Sequence, residues 1–186
     1  TSVTTDAAGA TQLNGGVITT TAAQTYNDAV TLGVDTTLNG VNVTLASTVN
    51  GAKNLTVNDS GTTTFGGIVG GTTALTSITT NAPGTTAING TAITTTGAQT
   101  YNDAVTLAAD DVLTGVNVTF ASTVNGAKNL AVNDSGTTTF SAVVGGTTAL
   151  TSITTNALGT TAINGGSVTT TAAQTYNDAV TLGVDT

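Results

Sequence analysis

The chain has 186 residues, of which 6% are charged and 3% are aromatic, and ten acidic against two basic residues give it a net charge of -8. This composition leaves no basic stripe for a phosphate backbone, no cysteine for a disulfide or a thiolate metal site, and no apolar run long enough to span a membrane. The sequence therefore predicts neither a nucleic-acid partner nor a membrane-spanning segment. Abundant Val, Ile, Leu and Thr, with a mean hydropathy of +0.24, predict an ordered β protein.

One ten-residue motif recurs along the chain. AQTYNDAVTL surrounds Tyr26 and returns unchanged around Tyr101 and Tyr176, with the same 75-residue spacing each time. Neighbouring segments such as ASTVNGAKNL, from Ala46, return at the same spacing. Residues 1–186 are therefore one continuous repeat array of about two and a half copies, with no separate globular domain.

Each unit divides further into segments of short apolar strands joined by Gly-containing turns, at residues 60–83, 84–110 and 111–134. The first strand of these segments ends in Phe65, Ile88 or Leu113. Alternation such as VNVTF places successive side chains on opposite faces, while N-G, G-G and D-S-G supply the corners. Segments of 24, 27 and 24 residues predict an all-β parallel β-helix (β-solenoid), with about three coils per 75-residue repeat and seven and a half coils overall.

Tandem immunoglobulin-like β-sandwiches, one per unit, are the alternative fold. Sandwich cores commonly contain a buried Trp or other large aromatic residues. This chain has no Trp and only three Tyr and three Phe in all, which favours the solenoid.

Several segments resemble a known family. TTFGGIVGGTTALTSITTNA from Thr63, INGGSVTTTAAQTYNDAVTLGVDT from Ile163 and VNVTLASTVNGAKNLTVN from Val41 are similar to the β-strand repeats of large bacterial surface proteins of the filamentous haemagglutinin and autotransporter-adhesin type. The resemblance implies a right-handed parallel β-helix that forms a stalk or filament. It also implies an extracellular location on the bacterial cell surface and a part in attachment or biofilm.

Near-identical units indicate a structural function, because an active site would make one copy differ from the others. We therefore predict no enzyme activity and no cofactor. The expected partner is the chain itself, through stacked coils and through end-to-end or lateral association. A multivalent carbohydrate-binding or surface-binding stalk is the second hypothesis, and a polysaccharide-degrading enzyme and an ice-binding surface are distant ones.

Recurring acids are the only candidates for a metal site. Calcium prefers such hard oxygen ligands, but the calcium-binding nonapeptide G-G-x-G-x-D is absent and N-D and D-S-G contexts are typical of turn caps. Turn capping is therefore the expected role, and calcium the alternative. The weak calcium candidates are Asp28, Asp103, Asp178, Asp59 and Asp134.

Asp110 and Asp111 are the only adjacent acids, and one unit earlier the corresponding residues are Asp35 and Thr36. Because the pair is not repeated, we expect a solvated corner and no catalytic residue.

Threonine runs suggest an ice-binding surface, which needs the same motif at one position in every coil. ITTT at Ile18 and Ile93 and VTTT at Val168 recur only once per unit. The segments GGIVGG and VNVTF are expected to interrupt this rank.

The three tyrosines Tyr26, Tyr101 and Tyr176 are candidate surface-contact residues for glycans, or aromatics packed at a corner. Lys53 and Lys128 lie in identical NGAKNL contexts and are expected to be solvated or locally paired.

Overall fold

The computed structural model describes residues 1–186 as an all-β solenoid in which every strand pairing is parallel. The predicted fold class is thus confirmed, and separate sandwiches do not form. No segment forms a helix long and apolar enough to cross a membrane.

Twenty-four short strands follow one another along the chain. Residues 1–75 contain β1 (Val3–Thr4), β2 (Ala10–Leu13), β3 (Val17–Thr19), β4 (Gln24–Tyr26), β5 (Ala29–Leu32), β6 (Thr36–Gly40), β7 (Val43–Leu45), β8 (Val49–Asn50), β9 (Asn54–Asp59) and β10 (Thr62–Phe65). Residues 76–150 contain β11 (Ser77–Asn81), β12 (Thr85–Ile88), β13 (Ala92–Thr94), β14 (Gln99–Tyr101), β15 (Ala104–Leu107), β16 (Asp111–Gly115), β17 (Val118–Phe120), β18 (Val124–Asn125), β19 (Asn129–Asp134) and β20 (Thr137–Phe140). Residues 151–186 contain β21 (Ser152–Thr155), β22 (Thr160–Ile163), β23 (Gln174–Tyr176) and β24 (Ala179–Leu182).

The strands build three faces, visited in turn as the chain winds. Face 1 contains β1, β4, β7, β10, β12, β15 and β18 and continues through single bridges at Val144 and Val168. Face 2 contains β2, β5 and β8, a bridge at Val69, and then β13, β16, β19, β21 and β23. Face 3 contains β3, β6, β9, β11, β14, β17, β20, β22 and β24. Each face therefore has nine layers, and the rod has about nine coils.

The coils are shorter than predicted. Thr62 pairs with Thr85 and Thr85 pairs with Ala104, so the second of these coils is four residues shorter than the first. The predicted coil boundaries at 84–110 and 111–134 are therefore wrong, because two- or three-residue corners between short strands already complete a turn. The chain forms nine coils where the sequence predicted seven and a half.

Successive 75-residue repeats differ in their orientation around the rod axis. The Gln-Thr-Tyr strand lies on face 1 as β4, on face 3 as β14 and on face 2 as β23. Ten strands and one bridge make eleven strand positions in each 75-residue repeat, which is three and two-thirds coils rather than three. Each repeat is therefore turned by one face relative to the repeat before it.

A single core of 30 buried hydrophobic residues fills the rod. In β9, for example, Leu55 and Val57 point inward while Thr56 and Asn58 point outward. On face 3 the rings of Tyr101, Phe120 and Phe140 stack in successive layers, with both centroid separations at 5.3 Å. Each such buried side chain contributes about 1.5–3 kcal/mol of hydrophobic stabilisation, and the few aromatics stabilise one continuous core.

The longer coils contain a four-residue insertion that leaves the core register intact. Val69 and Leu75 bridge to Ile93 and Thr95, so residues 70–74 form an outward loop between two inward side chains. Asn50 Oδ1 accepts hydrogen bonds from the backbone N–H groups of residues 72 and 73, at 2.9 and 3.1 Å. Asn125 caps the equivalent loop at residues 145–149 in the same way.

Candidate functional site

Two of the three candidate surface tyrosines lie inside the rod. Tyr26 is 1% and Tyr101 0% exposed, and only Tyr176, in the last coil, is half-buried. Of the two alternatives for these tyrosines, surface contact is therefore wrong for Tyr26 and Tyr101, and packing is confirmed. Strand alternation explains it, because Gln and Tyr two residues apart both point inward in β4 and β14.

The buried tyrosines share a hydrogen-bond network with the glutamine two residues before them. Tyr101 Oη donates to Gln99 Oε1 at 3.0 Å, and Gln99 Nε2 donates to the carbonyls of Ile93 and Thr114 at 3.2 and 3.0 Å. Burial raises the pKa of Tyr26 to about 12. Burial, followed by the charges of Asp111 and Asp103, raises the pKa of Tyr101 as well. These phenols remain neutral and stabilise the core.

Asp28, Asp103 and Asp178 accept hydrogen bonds from threonine hydroxyls in the preceding coil. Asp103 Oδ1 is 2.7 Å from Thr80 Oγ1 and 2.8 Å from Thr86 Oγ1. Asp28 and Asp178 bind the equivalent threonine pairs. The hydrogen bond from Thr5 is the main cause that lowers the pKa of Asp28.

Asp59 and Asp134 cap backbone N–H groups at a second type of corner. Asp59 accepts hydrogen bonds at 2.7 Å from the N–H groups of Asn42, Val43 and Gly61. Asn42 has a φ of 62°, a left-handed conformation that aims its N–H at the carboxylate. Asp134 binds the equivalent three N–H groups of the second unit.

All five weak calcium candidates are thus engaged with donors of the protein itself. Three accept from threonine hydroxyls and two from backbone N–H groups, so their oxygens act as structural acceptors. No group of three or more Asp, Glu, His or Cys side chains is placed to hold a metal ion. The predicted turn capping is found at Asp59 and Asp134, whereas Asp28, Asp103 and Asp178 instead join threonine hydroxyls of the preceding coil.

Asp35 and Asp110 lie on exposed corners. Asp110 accepts hydrogen bonds from the backbone N–H and the side-chain amide of Asn129, both at 2.9 Å. These bonds, together with the charge of Lys128, lower the pKa of Asp110. Hydrogen bonds from Asn54, and to a lesser degree the charge of Lys53, lower the pKa of Asp35 in the same way.

Asp111 contradicts the expectation of a solvated corner. It is 1% exposed, and neither carboxylate oxygen has a hydrogen-bond partner. Burial, and secondarily the charge of Asp110, raises its pKa to about 7. In the preceding unit Thr36 holds this inward position and donates a hydrogen bond to the Val34 carbonyl at 2.9 Å. Asp111 has no solvent-accessible oxygen to offer a substrate.

Face 3 carries an outward column of threonines that the sequence analysis missed. The threonine runs at Ile18, Ile93 and Val168 form no rank, as expected, and the reason is that they lie on faces 3, 2 and 1. A different set of threonines aligns in six consecutive layers and returns at Thr181 after Ala162. The six are Thr37, Thr56, Thr79, Thr100, Thr119 and Thr139.

A ladder of asparagines runs beside the threonine column. Asn58 Nδ2 donates to Asn39 Oδ1 at 2.7 Å, Asn81 Nδ2 donates to Asn58 Oδ1, and Asn102 Nδ2 donates to Asn81 Oδ1 at 3.0 Å. Four consecutive layers of face 3 therefore present a Thr-x-Asn pair. A shallow groove of about 550 Å³ lies between this ladder and the protruding Pro83 corner.

No protein-family model matches this chain, and neither does any curated protein or any solved structure.

Proposed function

We propose that the chain is a stalk or filament segment of a secreted or cell-surface bacterial adhesin, which supports attachment or biofilm. The observation that supports it is the single core of 30 residues, which runs along the rod from Leu13 to Ile163. A rod of this kind has no hinge between repeats. At about 4.8 Å per layer it is about 40 Å long.

Side-chain chemistry supports a structural role over an enzymatic one. Asp59 and Asp103 are saturated by donors, and the unpartnered Asp111 is closed to solvent. Catalysis requires a group that can take or give a proton where a substrate can reach it. We infer that this chain is not an enzyme.

A multivalent surface-binding stalk is the second candidate. Because each repeat is turned by one face, a weak contact made by one unit recurs on all three faces of a longer rod. Weak contacts repeated in this way produce strong overall attachment. Such contacts would come from amide and hydroxyl groups, because Tyr26 and Tyr101 are buried.

Self-association is part of this proposal. Leu182, in the last coil, is 57% exposed, whereas its counterpart one unit earlier, Leu107, is 2% exposed. Any further coil stacked on this layer, from the same chain or from a second copy, would cover such side chains and pair the free strand edge.

Arrays extended by one and by two 75-residue units test both functions. Since a unit forms three and two-thirds coils, a stiff stalk lengthens by about 18 Å per unit in electron micrographs. The same proteins are then applied to glycan arrays. A stalk alone retains no glycan at any length, whereas the binding function predicts an affinity that climbs steeply with unit number. Flexible strings of separate beads in the micrographs would contradict both functions, because each requires a stiff stalk.

A further inference from the structure

The threonine column of face 3 is a regular array of free hydroxyl groups. Its six members pair in register from Thr37 to Thr139, so their hydroxyls repeat at about 4.8 Å over about 24 Å. All six side chains are half-buried between their neighbours. Because threonine is β-branched and stiff at χ1, this stacking holds the hydroxyl and methyl groups in repeated positions.

These hydroxyls differ from the inward-facing threonines in their hydrogen bonding. Thr80, Thr86 and Thr138 donate to Asp103 or Asp134 inside the rod. None of the six outward hydroxyls has a hydrogen-bond partner in the protein. Each is therefore free to donate to, and to accept from, water.

The asparagine ladder adds a second fixed row two residues along each strand. Asn39, Asn58, Asn81 and Asn102 hold one another by side-chain hydrogen bonds, so their amides keep one orientation. The two rows form a Thr-x-Asn surface that repeats with the coils.

The threonine column of face 3 is itself uncharged, although the chain carries a net charge of -8. Asp59, at the end of β9, and Asp103 are buried, whereas the exposed Asp35 lies beside one end of the column, two residues before Thr37. The outward column from Thr37 to Thr139 contains only threonine. The column itself therefore presents only hydroxyl and methyl groups to water.

The chemistry of face 3 suits an ordered water lattice better than a macromolecule. Protein interfaces need large buried anchors such as Trp, Tyr, Arg or Leu, and this column has none. Stacking on a sugar ring needs an exposed aromatic, whereas Tyr101, Phe120 and Phe140 all point inward from this face.

We propose that face 3 binds ice. The threonine hydroxyls and asparagine amides would hold water molecules at a repeat close to that of the water lattice in ice, while the threonine methyl groups fill the gaps between them. The free hydroxyls are the groups that contact the crystal surface. This function is independent of the stalk and does not require it.

Uptake of the purified protein into slowly growing ice tests the proposal. The wild-type protein is expected to enter the ice and to slow its recrystallisation. Thr100→Lys places a long charged side chain in the middle of the column and is expected to abolish both effects. Thr175→Lys is the matched control, because Thr175 has the same Gln-Thr-Tyr neighbours but lies on face 2.

Exclusion of the wild-type protein from ice would overturn the proposal, as would equal losses in Thr100→Lys and Thr175→Lys. Lateral association through face 3 without uptake into ice would also overturn it. Thermal melts of both variants verify the fold. If Thr100→Lys melts lower than its control, a second pair of variants is compared in the same ice-uptake assay. Thr56→Lys lies on the column, and Ala131→Lys is at the equivalent position on face 2. Only Thr56→Lys is expected to lose uptake.

Discussion

At the scale of the residue, Asp111 shows what one substitution between repeats changes. The inward position holds Thr36 in the first unit, with a hydrogen bond to a nearby carbonyl, and an unpartnered carboxyl in the second. A buried carboxylate without donors is costly. The pKa of about 7 means that the folded protein keeps this carboxyl neutral where an unfolded chain would ionise it.

We expect Asp111→Thr to stabilise the protein at pH 8 but not at pH 4. The folded state holds a proton that the unfolded chain releases near pH 4, so wild-type stability is fully present below that pH and falls as the pH rises through about 7. The free energy of unfolding of the wild type is expected to fall by about 2–4 kcal/mol over this pH range. Urea unfolding midpoints at pH 4, 6 and 8 measure it.

Asp35→Asn is the matched control for this measurement. Asp35 is an exposed corner acid whose pKa is lowered by hydrogen bonds from Asn54, so its replacement removes a charge without relieving a buried carboxyl. It should give no gain at pH 8. If the unfolding midpoints of wild type and Asp111→Thr changed with pH in parallel, Asp111 would not be the group that destabilises the protein at high pH.

At the scale of the element, register matters more than coil length. Coils of 19 to 24 residues coexist. In the longer ones the four extra residues leave Val69 and Leu75 on the same side of the strand. Between Val69 and Leu75, which lie on one face, an even change in residue number preserves inward and outward positions, whereas an odd change exchanges them. Corners, in contrast, absorb single-residue differences, because Thr25 and Thr44 pair at a separation of 19 residues and Thr44 and Thr64 at 20.

Deletion of residues 71–74 should therefore leave the rod folded, because Val69 and Leu75 then lie two residues apart, like Ile93 and Thr95 with which they pair. We expect a thermal midpoint within a few degrees of the wild type. Deletion of residues 71–73 is the control and should lower the midpoint strongly, because Leu75 then turns outward. Equal midpoints for the two deletions would contradict the register argument.

At the scale of the whole molecule, the repeat and the coil have different periods. The loops at residues 70–74 and 145–149 follow Val69 on face 2 and Val144 on face 1. Identical segments are thus distributed around the rod, while face 3 collects its threonine column from unlike segments.

In an array extended by two units, we expect the third loop on face 3 and the fourth on face 2 again, each about 18 Å further along the axis. A cryo-EM map of the extended array shows the loops directly. Loops that align on one face would instead indicate three coils per unit and would contradict the strand pairing found here.

Local sequence patterns were enough to predict the fold class, the 75-residue repeat and the turn caps at Asp59 and Asp134. These follow from local rules, because period-two alternation, Gly corners and Asx chemistry act over a few residues. The aromatic scarcity of the chain also argued correctly against sandwiches, since Tyr101, Phe120 and Phe140 suffice for one continuous core.

The grouping of residues on a common face, in contrast, depends on how the coils stack. Thr25, Thr100 and Thr175 have identical neighbours but lie on faces 1, 3 and 2, because one repeat makes a non-integral number of coils. Burial of Asp111 depends in the same way on which coil covers it. The coil period is set by pairing between strands about 20 residues apart, and no local pattern in the sequence specifies that distance.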